Sequence, residues 1–410
     1  MDKRKVVYLD HVALLSGGEL ALARILPWLT DSVEAHVVLG AEGPLQDLVR
    51  EAHVPLEVVP MGSQARDVRK DTVRFGGLSL GGLLATAEYI YRLSRWLKRS
   101  RPDLIHTNSL KAALYGGVAG RVAGIPVIWH LRDRIADDYL PKSAVVMVKV
   151  AAHLLPSFII ANSEATRRTL PRALREKGAR HSAVIHDSVV VQRRQLTSCG
   201  PRPFRLCILG RLAPWKGQEI FIQAFNQAFS ATDDVEGWVT GSAMFGEEDY
   251  AASLQAMVRD LGLSGRVEFR GFRDDIWAEL AEVDVLVHSS LVPEPFGQVV
   301  LEGMAAGTPV ITVSEGGPLE IVTHMVDGVL LPPGDVAALA SAMRSLYHDS
   351  ALRERLATAG MQTAERFSPP SAAAQLLEVY ERVAERNSQP LLRRLSATLS
   401  KLASNRSCHL

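Results

Sequence analysis

Cysteine is nearly absent: Cys199, Cys207 and Cys408 are the only three. An odd, scattered set builds no disulfide framework, and no Cys-x-x-Cys pair offers zinc a site. A reducing, cytoplasmic setting is the expectation. Net charge is nearly absent too, since Lys plus Arg number 46 and Asp plus Glu 45. That balance gives no reason to expect nucleic acid as a partner. Asp2, Asp10 and Glu19 interrupt the first twenty residues, so no secretory leader is read there. The apolar stretch Ala144–Ala161 contains Lys149, His153 and Pro156 and makes a poor bilayer span. Common nucleotide and metal signatures are also missing. There is no Gly-x-x-x-x-Gly-Lys-Ser/Thr loop, no Gly-x-Gly-x-x-Gly after the first strand and no His-Glu-x-x-His.

What is present is ample apolar chain. The 410 residues are 47% hydrophobic, which excludes a disordered polymer and fits two or three domains. Charge is divided unevenly. Residues 1–200 hold 28 basic and 19 acidic side chains; residues 201–410 hold 18 and 26. A basic half beside an acidic half is consistent with two domains facing different partners, or with compositional scatter between them.

Short β-rich runs alternate with helical patterns. The runs are Val6–Leu9, His36–Leu39, Leu56–Val59, Leu104–Thr107, Val127–His130, Phe158–Ala161 and Ala183–Ile185. Between them lie helical stretches such as Glu19–Leu29, Leu83–Arg99, Lys111–Val122 and Glu164–Glu176. Continuous apolar strands separated by helices predict a parallel sheet covered on both faces. A polar stretch, Val191–Pro203, reads as a linker. The alternation then restarts with strands Arg205–Leu209, Trp238–Thr240, Val267–Phe269, Val285–His288 and Val310–Thr312. The fold class is therefore α/β, with two tandem Rossmann-like, doubly wound domains facing a cleft. Residues 335–366 read as helices, and Ala372–Arg386 as one more. From Asn387 the tail carries Arg393, Arg394, Lys401 and Arg406 without an acid, and Leu391, Leu395, Leu399 and Leu402 share a helical face. Such a helix can lie on an anionic membrane or pack within the molecule.

Three segments carry candidate chemistry. Gly210-Arg211-Leu212-Ala213-Pro214-Trp215-Lys216-Gly217 follows the first strand of the second domain. Arg211 and Lys216 on a glycine-bounded loop there can flank a diphosphate, or be two solvated surface cations. Glu294-Pro295-Phe296-Gly297-Gln298 leads into a helix that contains Glu302. The helix start offers amides, Glu294 can accept from sugar hydroxyls and Glu302 can take both hydroxyls of a ribose, or each is a neutral carboxyl or a simple surface acid. Gly17-Gly18, after the first strand, allows close backbone approach to a ligand, or simply turns the chain.

Together these segments resemble the retaining glycosyltransferases of family 4, which have the GT-B architecture. The likeness rests on Gly210, Arg211, Leu212, Lys216 and Gly217, and on the paired Glu294 and Glu302. Asn162-Ser163-Glu164, Gly271, Gly316-Gly317-Pro318 with Glu320, and Asp327-Gly328 agree with it. It implies an acceptor-side domain over residues 1–190 with a return helix at 370–386. A donor-binding domain would span 203–369, followed by a basic tail at 387–410.

The implied roles are specific. Arg211 and Lys216 would bind the donor diphosphate and stabilise the leaving nucleoside diphosphate. Glu302 would bind the ribose. Glu294 and the amides of Phe296, Gly297 and Gln298 would hold the transferred sugar. His130 would contact that sugar, and Gly17 and Gly18 would approach the phosphates or the acceptor, beside Gly210. No metal or other cofactor is expected. Partners would be a nucleotide diphosphate sugar, UDP-linked first and GDP-linked second, and a glycan or lipid-linked acceptor. Peripheral contact with an anionic membrane is a further expectation, motivated by Arg92, Arg95, Lys98, Arg99 and Arg101. The family often shows Asn-Gly-Val/Ile-Asp after the last strand of the first domain; here the sequence is His186-Asp187-Ser188-Val189. Alternatives are an epimerase-like relative acting on a nucleotide sugar and a non-enzymatic nucleotide-sugar-binding protein.

Overall fold

A computed structural model describes residues 3–62, 80–176, 178, 181–192, 202–244 and 246–388. Most of the glycine-rich stretch between Met61 and Gly82, the centre of the linker and almost all of the basic tail lie outside the described residues.

The first domain holds a seven-stranded sheet in the order β3-β2-β1-β4-β5-β6-β7. Its strands are β1 (Arg4–Asp10), β2 (Val33–Leu39), β3 (Leu56–Val58), β4 (Leu104–Thr107), β5 (Val127–Leu131), β6 (Phe158–Ala161) and β7 (Ser182–Val184). Every pairing is parallel. Both faces are buried, which explains the unbroken apolar runs. Along β1, Val6 and Tyr8 enter one core while Val7 and Leu9 enter the other.

The second domain repeats the scheme with six parallel strands in the order β10-β9-β8-β11-β12-β13. They are β8 (Phe204–Leu209), β9 (Val235–Thr240), β10 (Val267–Gly271), β11 (Val285–Val287), β12 (Val310–Val313) and β13 (Val329–Leu331). β13 is not among the strands expected from the sequence.

Local deviations have covalent causes. The helix expected over Glu19–Leu29 is α-helical over Gly17–Ile25 and tightens to a single 3-10 turn at Leu26–Trp28, because Pro27 has no amide hydrogen to continue the ladder. The helix expected over Glu164–Glu176 is two short pieces, Glu164–Arg167 and Arg172–Glu176, separated at Pro171. The apolar stretch Ala144–Ala161 divides between the helix Lys142–Leu154 and β6. Among the described residues no helix is long and apolar enough to cross a membrane.

The final helix, Pro369–Ser388, returns to the first domain. Its Ala372, Leu376, Val379, Tyr380 and Val383 share a core with Leu22, Ile25 and Leu26. Each fully buried large apolar side chain there contributes about 1.5–3 kcal/mol.

In both sheets the strand order reverses once, between β1 and β4 and between β8 and β11. Loops leaving the carboxyl ends at such a reversal diverge and open a crevice. The two crevices face each other and hold the candidate residues.

Candidate active site

In the second domain β8 ends at Leu209, and the chain runs through Gly210 into the 3-10 turn Pro214–Lys216. Gly217 stops that turn at φ +73°, and a Cβ there would collide with the Ser289 carbonyl. Only glycine lets the helix Gln218–Ala228 start this close to the loop after β11. Both cations of the loop approach the Trp215 ring: Lys216 Nζ is 4.4 Å and the Arg211 guanidinium 5.8 Å from its centroid. The ring quadrupole attracts both charges.

After β11, His288, Ser290 and Glu294 converge. The Glu294 carboxylate accepts from Lys216 Nζ at 2.5 Å and from Ser290 Oγ at 2.8 Å, and lies 3.2 Å from His288 Nε2. Burial opposes its charge, but the Lys216 cation and the His288 contact outweigh burial and hold the carboxyl well below the usual range. Gly297, at φ +96°, turns the chain into the nine-residue helix Gln298–Ala306. One turn in, Glu302 meets Arg24 of the first domain at 2.5 Å. Burial dominates at Glu302 and raises its carboxyl above the ordinary value despite Arg24.

The first domain supplies the facing wall. The Gly-Gly loop opens the helix Gly17–Ile25, and Gly17 sits against the Gln298 side chain. Gly18 lies beside Asn108, whose amide donates to the Gly18 carbonyl at 3.0 Å and to Asp10 at 2.8 Å. Asn108 in turn accepts from Arg132 at 3.1 Å, and Arg132 pairs with Asp187. His130, near the end of β5, lies 3.5 Å from Arg132. Polar contacts thus run from Gly18 through Asn108 and Arg132 to His130. Burial lowers Arg132 to about 10 and raises Glu19 to about 7, the latter helped by the nearby Asp10 charge.

The structure brings Arg211, Lys216, Glu294, Gln298, Glu302, Gly17 and Gly210 around one crevice, with His130 reached through the first-domain wall. The Phe296 ring is the exception: it is buried in a stack with His186 and Phe367, so only its backbone remains for a ligand. Sequence reasoning missed Arg24, Asn108, Arg132 and His288. Asn108 immediately follows β4, and a polar residue at a strand's carboxyl end was a usable signal; Arg24, in the last turn of its helix, had none.

The domains also touch beside the crevice. Glu320 accepts two backbone amides, Glu164 and Ala165 at 2.8 Å each, and meets His186 at 3.0 Å. The Pro295 carbonyl accepts from Ser163 and Thr166. His186 and Asp187, where the sequence departs from the family pattern, therefore serve the domain interface and Arg132. Among the described residues no group of three or more His, Cys, Asp or Glu is placed to hold a metal.

Comparison with known proteins gives a consistent result. The profile for Glycosyltransferase Family 4 matches residues 17–193, and that for Glycosyl transferases group 1 matches residues 197–363. The chain is 36% identical over 175 residues to the lipopolysaccharide core biosynthesis glycosyltransferase LpsE of Rhizobium meliloti, a match spanning 43% of this chain and 48% of LpsE. It is 29% identical to the phosphatidyl-myo-inositol mannosyltransferase of Mycobacterium leprae, over 73% of this chain and 78% of that one. Among solved structures, Anabaena Alr3699/HepE in complex with UDP and glucose superposes with a TM-score of 0.77. That pair is 30% identical and covers 92% of this chain and 99% of the other. The same Anabaena protein with UDP-glucose gives a TM-score of 0.78 at 29% identity, with the same coverage.

Proposed function

The chain belongs to the family-4 glycosyltransferases of GT-B architecture, and from that premise we propose that it transfers a hexose from a nucleotide diphosphate sugar to an acceptor hydroxyl with retention at the anomeric carbon. The donor nucleotide is UDP, with GDP second. The acceptor is a glycan or lipid-linked precursor. The observation that carries this reading is the pairing of two cations and two buried carboxylates around one crevice: Lys216 on Glu294 and Arg24 on Glu302.

Each pair is preset for exchange with substrate. A diphosphate draws Lys216 and Arg211 to itself and frees Glu294 for hydroxyls of the sugar. The ribose diol replaces Arg24 on Glu302. The amides at Phe296, Gly297 and Gln298 begin a helix and add donors beside the sugar. Positive charge from Arg211, Lys216 and that helix end stabilises the departing diphosphate, so the transfer proceeds without a metal. The bond between the anomeric carbon and the diphosphate oxygen breaks, and the acceptor oxygen bonds to the same face. The acceptor proton passes to the departing phosphate oxygen. Contact of Glu320 with the first domain closes the crevice and limits water access. The UDP and UDP-glucose held by the Anabaena relative support the choice of donor.

The acceptor class is supported by a surface feature. The helix Lys142–Leu154 has no acid and exposes Val146 (59%), Met147 (41%), Val150 (54%) and Leu154 (62%), edged by Lys142 and Lys149. Arg121 of the neighbouring helix donates to the Leu154 carbonyl. An apolar ridge bordered by cations suits an anionic bilayer, where a lipid-linked acceptor resides.

Calorimetric titration with UDP, GDP and ADP, in chelator, tests the donor site. Saturable UDP binding that is lost in Lys216→Ala is expected, followed by transfer from a UDP-sugar to an added acceptor. No binding by any of the three would overturn the reading. An isomeric nucleotide sugar formed without acceptor would make the protein an epimerase-like relative instead.

A further inference from the structure

The two cation–carboxylate pairs of the crevice are built differently. Lys216 and Glu294 belong to one domain, and Ser290 and His288 still touch Glu294 once Lys216 turns away. Glu302 takes its cation from the other domain. Arg24, in the last turn of the helix Gly17–Ile25, reaches across, and its Nη2 donates to Glu302 Oε1 at 2.5 Å. The Gln298 amide is oriented so that its oxygen accepts from Arg24 Nη1 while its nitrogen donates to the Gly17 carbonyl at 2.8 Å. Gln298 and Glu302 share one face of their helix, so a single planar guanidinium spans both.

A group of the chain's own thus stands where the functional reading seats a ribose. The Glu302 side chain is 8% exposed and the Arg24 side chain 17%, so a diol reaches the carboxylate only where the guanidinium now sits. Among the described residues no other side chain bonds to Glu302. Without a ligand, departure of Arg24 would leave a buried carboxylate unpaired, which keeps the guanidinium in place. The other domain contacts do not use this pair. Glu320 accepts the Glu164 and Ala165 amides, and the Pro295 carbonyl accepts from Ser163 and Thr166. Arg24 can therefore leave Glu302 while the domains stay joined.

We propose that Arg24 is an internal competitor for the nucleotide: in the ligand-free chain it fills the ribose seat on Glu302, and a nucleotide binds only as Arg24 leaves. This rests on the reading of Glu302 as the ribose ligand. The competition discriminates between parts of a ligand. A molecule that brings a diol to Glu302 has to displace Arg24, whereas an anion held by Arg211 and Lys216 alone does not. Such a competitor weakens a ribonucleotide by the fraction of chains whose seat is empty, so its removal tightens binding. For a charge-assisted pair that factor is about ten.

The test is calorimetric titration of the full-length wild type and of Arg24→Met with UDP and with inorganic pyrophosphate. It is run at pH 8 to favour ionised Glu302. Methionine keeps an unbranched apolar stem and removes the charge. A UDP dissociation constant about tenfold lower in the variant is expected, with no gain for pyrophosphate. Equal or weaker UDP binding in Arg24→Met overturns the competition, because Arg24 is then idle or itself a ligand of the nucleotide. A gain for pyrophosphate as large as that for UDP also overturns it, because the effect then lies outside the ribose seat. If wild type takes GDP rather than UDP, GDP replaces it in both titrations. If Arg24→Met fails to fold, a crystal structure of the wild type with the nucleotide decides. Arg24 displaced from Glu302 by the ribose supports the competition, and a bound nucleotide with Arg24 still on Glu302 overturns it. Binding of neither nucleotide sinks the functional reading and the competition together; binding without the gain removes the competition alone.

Discussion

Lys216→Ala should damage stability and chemistry together, and a second substitution should separate the two. Lys216 Nζ sits 2.5 Å from a Glu294 carboxylate that is almost wholly buried. Removing one partner of a buried pair costs about 3–5 kcal/mol, because the other charge stays buried and unpaired. The Lys216 side chain is 20% exposed, and His288 and Ser290 still touch Glu294 in the variant. We therefore expect a loss of ~2–3 kcal/mol at neutral pH. At about 2–4 °C per kcal/mol for a unit of this size, the second-domain melting midpoint should drop by roughly 4–12 °C.

Adding Glu294→Gln removes the stranded charge and should return most of that loss, yet sugar transfer should stay abolished. The effect also depends on pH. The Glu294 carboxyl is more acidic in the folded chain than when unfolded, where its ordinary value is 4.5. The stabilisation from the pair is thus complete above that value and lost as pH falls through the lower folded value. The gap between wild type and Lys216→Ala should be widest at neutral pH and narrow below about 4.5. Scanning calorimetry from pH 3 to 8 reads this directly. A gap independent of pH, or no recovery in the double variant, would refute the pairing.

Further outcomes follow from the same geometry. Arg24→Gln removes the cation paired with Glu302, whose carboxyl is already raised by burial. Its UDP affinity should rise with pH as Glu302 ionises; a flat calorimetric profile between pH 5.5 and 8 would count against Glu302 as the ribose ligand. Gly297→Ala forces a side chain to φ +96° beside Pro318, which should destabilise by ~1–3 kcal/mol and slow transfer, checked by melting and initial rates. Glu320 is held below its ordinary value chiefly by His186 and two backbone amides, which together outweigh burial. Its grip on the first domain is complete at neutral pH and lost in acid. Glu320→Gln should therefore enlarge the radius of gyration at pH 7, as small-angle scattering would show, while wild type expands only on acidification. A double Val146→Asp, Val150→Asp variant should stop sedimenting with phosphatidylglycerol vesicles at low salt while keeping its melting midpoint. Unchanged sedimentation, or a change from dimer to monomer instead, would remove the bilayer from the account.

Much of the molecule was determined along the chain itself. Strand runs such as Val6–Leu9 and Phe158–Ala161 were legible because both faces of a parallel strand are buried, so the pattern is continuous. The second-domain loop was legible because Gly217 and Gly297 sit where positive φ is required, and Arg211, Lys216, Glu294 and Glu302 keep fixed offsets from them. Those offsets are local, so one sequence carries them. Partnership across space was not legible. Lys216 binds Glu294 because two loops leave adjacent strands at the same sheet end, and Arg24 reaches Glu302 because two domains meet. Nothing within a few residues of Arg24 encodes that contact. The contacts linking Tyr8, Tyr380, His106 and His130 join β1, the final helix, β4 and β5, up to 372 positions apart. Only tertiary folding brings side chains so far apart in sequence within hydrogen-bond reach, because each sits on a different element of the same core.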